Sequence, residues 1–340
     1  MSNLTYKIKH NLDIREHLFK AKQIAEFAVK TKSLSSKDVK HFGLNSVISN
    51  QILRKYSKNK KCKQVKSVKL TIPNQGMTYK NKNIWIPSLD LNLSFDKDVI
   101  KVNQAEMDST YAYICCTVND QPIQEEVGYI GIDRNATGHI AVASIDNKII
   151  KLGKQAPHIN RKYKKIRAKA QKNKAFKFIK KLKNKESRKI KDINHKISRK
   201  IVNLAKENNY AIKLEKLTGI RKKKQGRKLN SIKSNWSFYQ LEKFIEYKAK
   251  LLGIKVFYVD PAYTSQICSK CGLIGTRDKK VFSCICGHKD HADANASFNI
   301  AKVSIMQDRS TIDRDVVESK SDIAQMEIAK TKLTIELPTF

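Results

Sequence analysis

Between residues 127 and 303 the hydrophobic pattern alternates between a period of two and a period near 3.6, in one order. Three strands come first: VGYIGID, GHIAVASI and NKIIKL. A long basic helical stretch over 161–200 follows, then the strand YAIKLE at 210–215, a helix over 236–252, the strand GIKVFYV at 253–259 and a helix from about His291. Short turns at Arg134-Asn135 and Asp146-Asn147 join the first three strands as a meander. Few architectures accept this order, and each places helices on a mixed sheet. Ile190, Ile193, Ile197, Ile201 and Leu204 recur at helical spacing, so the second half of the basic stretch has one core-facing side. Phe238, Leu241, Ile245, Ala249 and Leu252 do the same for the helix over 236–252.

The order β-β-β-α-β-α-β-α is that of an RNase H-like α/β domain, and acids stand at its strand ends. Asp133 ends the first strand, Glu215 ends the fourth, and Asp293 opens the last helix. A single acid after a strand is ordinarily a solvated loop residue. Three in this order converge where loops leave the sheet, and they repel one another unless cations sit between them. Hard, oxygen-seeking Mg²⁺ fits that need. Two such ions about 4 Å apart activate a water and stabilise the leaving 3′ oxygen of a phosphodiester. Asp133, Glu215 and Asp293 are therefore both the candidate catalytic residues and the candidate Mg²⁺ ligands.

A second cluster interrupts the domain before its last helix. Of seven cysteines, four fall in Cys268-x2-Cys271, a twelve-residue spacer, and Cys284-x-Cys286. Thiolates so spaced favour tetrahedral Zn²⁺. His288 is the alternative to Cys286 as fourth ligand. Four closed ligands leave no open position, so the site is structural. Its polar flanks, Ser269-Lys270 and Lys279-Lys280, disfavour a plain thiol core. An odd, clustered cysteine count points to a reducing compartment. Cys62, Cys115 and Cys116 have no ligand partners in sequence.

The charge balance narrows the partners. The chain has 340 residues, with 69 Lys+Arg against 31 Asp+Glu and a net charge of +38. Such an excess calls for a polyanion, nucleic acid before an acidic membrane surface. No apolar run approaches the ~20 residues of a membrane span. MSNLTYKIKH lacks an apolar signal region, so the expected location is intracellular, cytoplasmic and nucleoid-associated. Residues 161–200 hold 19 Lys/Arg and only two acids, Glu186 and Asp192. This stretch and the loop RKKKQGRK (221–228) are candidate phosphate tracks, with Lys164, Lys165, Arg167, Lys172, Lys180, Lys181, Arg221, Lys222, Lys223 and Lys224 as contacts. Tyr163, Phe176, Phe178, Trp236 and Tyr263 are the aromatics available for base stacking, most of them better suited to a core.

Upstream, LTYKIKH (4–10) reads as a strand. Residues 13–31 read as a helix, and Ser35-Ser36 opens a second one to about Ser57. Residues 64–120 alternate in short runs (SVKLTI, NIWIPSL, LNLSF, DVIKV, YAYICCTV) between turns. The whole reads as a small antiparallel β module with a helical insertion after its first strand. From about Ile305 the chain turns weakly acidic, as a poorly ordered tail would.

The segments GIDRNATGHIAVAS, DINHKISRKIVNLAKENNYAIKLEKLTGIR, FIEYKAKLLGIKVFYVDPAYTSQICSKCG and FSCICGHKDHADANASFNIA resemble the TnpB (OrfB) family. These transposon-encoded proteins are often labelled transposases and are related to type V CRISPR effectors. The resemblance covers 128–303 closely. SVKLTIPNQG and IWIPSL are similar to the family's wedge region, and 11–60 to its helical recognition part. It implies a RuvC-like, RNase H-like nuclease core (127–261 and 291–305) with an inserted zinc ribbon (262–290). Before these would come a small β-barrel wedge module (1–10 and 61–126) carrying a helical recognition insertion (11–60), and after them the tail (306–340). It further implies an RNA-guided, Mg²⁺-dependent DNA endonuclease. The guide RNA would come from the transposon end, and the target would be double-stranded DNA with a short flanking motif. By motif, Asp133 stands at the GID aspartate, Glu215 at the strand-ending glutamate and Asp293 at the aspartate of D-x-N-A. Cys268, Cys271, Cys284 and Cys286 match the ribbon. The sequence departs from the family pattern at Asn135, Lys216, His291-Ala292 and the shortened C-x-C, and none of these removes a carboxylate. Two other readings share the same residues: a nuclease-inactive nucleic-acid-binding regulator, and a strand-transferring transposase.

Overall fold

The computed structural model describes residues 1–60, 62–182, 184–217, 226, 230, 237–261 and 263–303. These fall into two units: Met1–Ile123 with Lys250–Gly253, and Gln124–Ala249 with the described residues from Ile254 on. The loop residues Arg221, Lys222, Lys223 and Lys224, Trp236 and the tail lie outside the described residues.

In the first unit, β1 (Ser2–Lys9) alternates half-buried and exposed side chains, as a one-faced strand must. Helices α1 (Arg15–Thr31) and α2 (Ser46–Ser57) follow. The second helix is shorter than its sequence pattern indicates. Ser36–Phe42 form a separate 3₁₀ turn that Gly43 ends at φ +69°. Asn45 then caps α2, its side chain accepting from the Val47 N–H at 2.9 Å.

Strands β2 (Leu70–Pro73), β6 (Lys101–Met107) and β7 (Tyr111–Val118) join β1 in an antiparallel sheet of order β1-β7-β6-β2. Strands β3 (Thr78–Lys80), β4 (Asn83–Ile86) and β5 (Leu91–Ser94) make a separate meander. The expected barrel is therefore two sheets among the described residues. The stretch between β2 and β6 pairs with itself, which leaves β1 and β2 as the edges of the larger sheet. Ile24, Ile48, Ile52, Ile72, Ile84, Phe95 and Met107 fill the core of this unit.

The second unit begins with β8 (Gly128–Arg134), β9 (Ala141–Ile145) and β10 (Lys148–Leu152). The β8–β9 connection is longer than a tight turn. Residues 135–140 intervene, closed by the Asn135 N–H on the Ile140 carbonyl at 3.0 Å. The basic stretch divides into α3 (Gln155–Lys172), α4 (Phe176–Leu182) and α5 (Lys185–Glu207). On α5, Ile190, Ile193, Ile197 and Ile201 are buried as their spacing requires, whereas Leu204 is only half-buried. Then come β11 (Tyr210–Glu215), α6 (Phe238–Leu251), β12 (Val256–Val259), the short strands β13 (Thr276–Asp278), β14 (Val281–Ser283) and β15 (Lys289–His291), and α7 (Ala292–Lys302).

The main sheet has the order β10-β9-β8-β11-β12, with β8, β11 and β12 parallel and β9 antiparallel to β8. Ile132 lies opposite Leu214, so the carboxylates that follow each leave the same end of adjacent strands. Helix α7 lies close against β8. A Cβ on Gly131 would meet the Ser297 carbonyl oxygen at 2.1 Å and the Ala301 nitrogen at 2.4 Å. Ser144 Oγ donates to the Ser297 carbonyl at 2.8 Å, tying α7 to β9. The buried Lys213 ammonium donates to the carbonyls of Ala301 and Val303 at 2.8 and 2.7 Å, satisfying the end of the helix. No described helix is long and apolar enough to cross a membrane.

Candidate active site

β8, β11 and the first turn of α7 bring Asp133, Glu215 and Asp293 together, all buried. Burial pushes the Asp133 carboxyl up to about 7, and the charges of Glu215 and Asp293 add to the shift; Asn135 and Lys280 oppose it. Burial likewise raises Glu215, against the Thr264 hydroxyl and the Arg134 charge.

Each acid is held by its own neighbours. Asn135 Nδ2 donates to Asp133 Oδ2 at 2.8 Å. Thr264 Oγ1 donates to Glu215 Oε1 at 2.5 Å. The buried Arg134 guanidinium pairs with Glu242 of α6 and donates to the Glu215 backbone carbonyl. Lys280 Nζ lies 2.7 and 2.6 Å from the two oxygens of Asp293, and Arg277 reaches the same carboxylate at 3.7 Å. Sequence reasoning missed Arg134, Thr264, Arg277 and Lys280. Their partners lie far along the chain or across a hairpin, and only Arg134, directly after Asp133, had a local signal. His291 is half-buried and caps α7, its Nδ1 accepting from the Asp293 N–H at 3.3 Å.

Strands β13–β14–β15 form a small antiparallel sheet beside which the four cysteines meet. The sulfurs of Cys268, Cys271, Cys284 and Cys286 all lie within 4.8 Å of one another. Cys268 and Cys286 are 3.7 Å apart, and Cys271 and Cys284 3.5 Å. Four sulfurs at about 2.3 Å from one tetrahedral ion would stand roughly 3.8 Å apart, so the donor set fits such an ion. The thiols are free. His288 stands outside the group, its Nε2 3.5 Å from Ser269 Oγ. Burial opposes ionisation of Cys268. The N–H groups of Cys271 and Lys270 and the neighbouring thiols outweigh it and bring that thiol to about 7. The cluster is anchored to α7: Asn295 accepts from the Ser269 N–H at 2.8 Å and donates to the Ile267 carbonyl at 2.7 Å.

Residues 238–300 match the family described as Cas12f1-like, TNB domain. The segment from α6 to α7 is thus similar to a Cas12f1-like TNB domain. Relatives include a CRISPR-associated endodeoxyribonuclease Cas12f1 of Sulfoacidibacillus thermotolerans, 43% identical over 101 residues, which are 28% of this chain and 22% of that protein. The TnpB-like protein MJ0751 of Methanocaldococcus jannaschii is 35% identical over 107 residues, 30% of this chain and 38% of that one. The chain thus matches about a fifth of the length of the Cas12f1 relative and under two-fifths of the TnpB-like one. A solved structure described as a Cas12f1–sgRNA–target DNA complex aligns over 89% of this chain and 99% of that chain, at 20% identity and a TM-score of 0.43. The matched segment supplies the four thiols, Thr264, Lys280 and Asp293; β8 and β11 before it supply Asp133 and Glu215.

The basic residues divide by setting. Lys164, Lys165, Lys172, Lys180 and Lys181 are exposed on α3 and α4. Arg167 is paired with Glu186 and ties α3 to α5. Tyr163 is buried, while Phe176, Phe178 and Tyr263 are exposed.

Proposed function

We propose that this chain is an RNA-guided DNA endonuclease of the TnpB and Cas12f kind, built on an RNase H-like (RuvC) core with an inserted zinc ribbon. The observation that carries this reading is the meeting of three buried carboxylates from β8, β11 and α7, where burial and the charges of Glu215 and Asp293 raise the Asp133 carboxyl. Protein side chains offset that charge only in part, and oxygen donors of this kind suit hard divalent cations. Asp133, Glu215 and Asp293 would hold Mg²⁺, two ions in the fullest version. When bound, Mg²⁺ would polarise the scissile phosphate and the attacking water.

The chain's own residues do the rest. Asn135 and Thr264 fix one oxygen each of Asp133 and Glu215, so the carboxylates present their remaining oxygens in set directions. Arg134 locks the end of β11 to α6. Lys280 pairs with Asp293 and would offer its ammonium to a phosphate oxygen.

The four cysteines would hold Zn²⁺ as a structural ion, fixing the hairpin that carries Lys280. The domains would take the boundaries that the family resemblance implies: wedge-like β module, helical recognition insertion, nuclease core, zinc ribbon and tail. A guide RNA from the transposon end would read double-stranded target DNA beside a short flanking motif. The +38 charge would grip the nucleic-acid backbone without reading sequence. The protein would work inside the cell, at the nucleoid.

Sequencing the nucleic acid that co-purifies from cells carrying the native locus tests this reading. One dominant RNA from the gene's own 3′ flank is expected. A mixture of unrelated cellular RNA and DNA would oppose guided cleavage.

A further inference from the structure

A cleft of about 720 Å³ runs between α5 and α6, and none of its lining residues belongs to the carboxylate or thiol clusters. Its wall on α5 carries Lys196, Arg199 and Lys200, all exposed. Its wall on α6 carries Tyr247 and Lys248. Lys248 is only 3% exposed. Its ammonium donates to the His195 carbonyl and to Ser198 Oγ, both at 2.6 Å, and neither partner is an anion. Burial and then the nearby Arg199 charge pull it down to about 8. The His195 ring, stacked flat on Phe244 at 3.8 Å, holds the two helices in register beside it.

A buried cation facing neutral partners is costly unless an anion approaches it. Glu207 is the one acid in the described lining. Asp192 pairs with Lys196 at 2.8 Å and leaves Arg199, Lys200 and Lys248 with the excess. The cleft has the volume of a small-molecule site, which admits a nucleotide or two but not the body of a duplex. The half-buried Tyr247 offers a face to a base or sugar.

We propose that this cleft binds a phosphodiester group of a single nucleic-acid strand, gripped by Arg199, Lys200 and the ammonium of Lys248. The proposal rests on the reading of the chain as a nucleic-acid-binding protein and adds a defined anchor, away from the carboxylates.

The test uses the full chain in EDTA, so that cleavage plays no part. Fluorescence anisotropy is measured with labelled twelve-nucleotide single-stranded oligo-U and oligo-dT over a salt series. Arg199→Ala/Lys200→Ala changes only exposed positions and should fold normally. Lys248→Met keeps the stem and removes the charge. Each variant should weaken binding about 5- to 20-fold, and the double variant should flatten the log K against log salt slope by more than 1, near 0.7 per lost phosphate contact. Hydrogen exchange of wild type with oligonucleotide should slow over 195–207 and 244–248. Loss on both strands supports a backbone site shared by RNA and DNA, and loss on one alone supports the site and names its strand. Unchanged affinity and slope for both variants on both strands would overturn the proposal. An Asp133→Ala protein that still cleaves would instead sink the nuclease reading and leave the cleft untouched.

Discussion

The Lys280 ammonium lies 2.6 and 2.7 Å from the two carboxylate oxygens of Asp293 and 3.5 Å from Asn135 Oδ1. A hairpin of the small cysteine-bearing sheet thus delivers a cation into the carboxylate cluster of the main sheet. Asp293 is buried, and Lys280 is about one-third exposed.

Lys280→Ala removes the cation that competes with a metal ion for Asp293. The metal-free variant should melt about 2–4 °C lower than wild type. Its stabilisation by Mg²⁺ should be larger and half-complete at a lower concentration. Thermal melts across a Mg²⁺ series check this; an equal or smaller Mg²⁺ effect would oppose the assigned role.

Asp133 gives a pH dependence with a definite sign. Burial and two neighbouring acids hold its folded carboxyl near 7, above an ordinary unfolded value near 3.8. Its stabilising proton is therefore fully present below about pH 4 and lost as pH rises through 7, at up to about 1.4 kcal/mol per pH unit. Asp133→Asn carries no such charge. In EDTA the variant's melting temperature should gain on wild type as pH rises from 5 to 8, and saturating Mg²⁺ should shrink the gap. A gap that stays flat across this range would contradict the placement of Asp133 among other acids.

How far the sequence foretells these features depends on whether a residue's partner is local. YAIKLE is a strand over the six residues that its pattern marks, because its burial follows from its own composition. The end positions of Asp133 and Glu215 were legible for the same reason. Lys280 on Asp293 was not, since the contact needs a hairpin to fold back on a helix it does not pair with. The barrel that the resemblance implies could not be read from strand periodicity, which reports which face is buried and never whether a sheet closes. Gly43, at φ +69°, ends the turn that Ser36 opens, where the start signal at Ser35-Ser36 suggests one helix to about Ser57. The C-x-C pair left Cys286 and His288 as rivals, and backbone geometry brings Cys286 to the other three sulfurs.

Gly131 is where β8 and α7 touch most closely. Gly131→Ala sets a methyl 2.1 Å from the Ser297 carbonyl oxygen, and the obstacle is backbone. The cost should be about 1–3 kcal/mol or more, read as a lower urea midpoint. Unchanged stability would mean that α7 sits farther from the sheet.

Zinc content and its removal test the thiol cluster. Purified protein should carry about one zinc per chain. Chelation or Cys271→Ser should speed hydrogen exchange over 266–291 while the main sheet keeps its protection. Global unfolding on chelation would show that the sheet depends on the ribbon.

The most direct test of the account is the cleavage rate of a matched double-stranded DNA by the RNA-loaded protein, wild type beside Asp133→Ala, with RNA binding measured on the same samples. The account predicts Mg²⁺-dependent cutting by wild type, a loss of at least about 10³-fold in the variant, and equal RNA binding by both. Undiminished cutting by Asp133→Ala would contradict it.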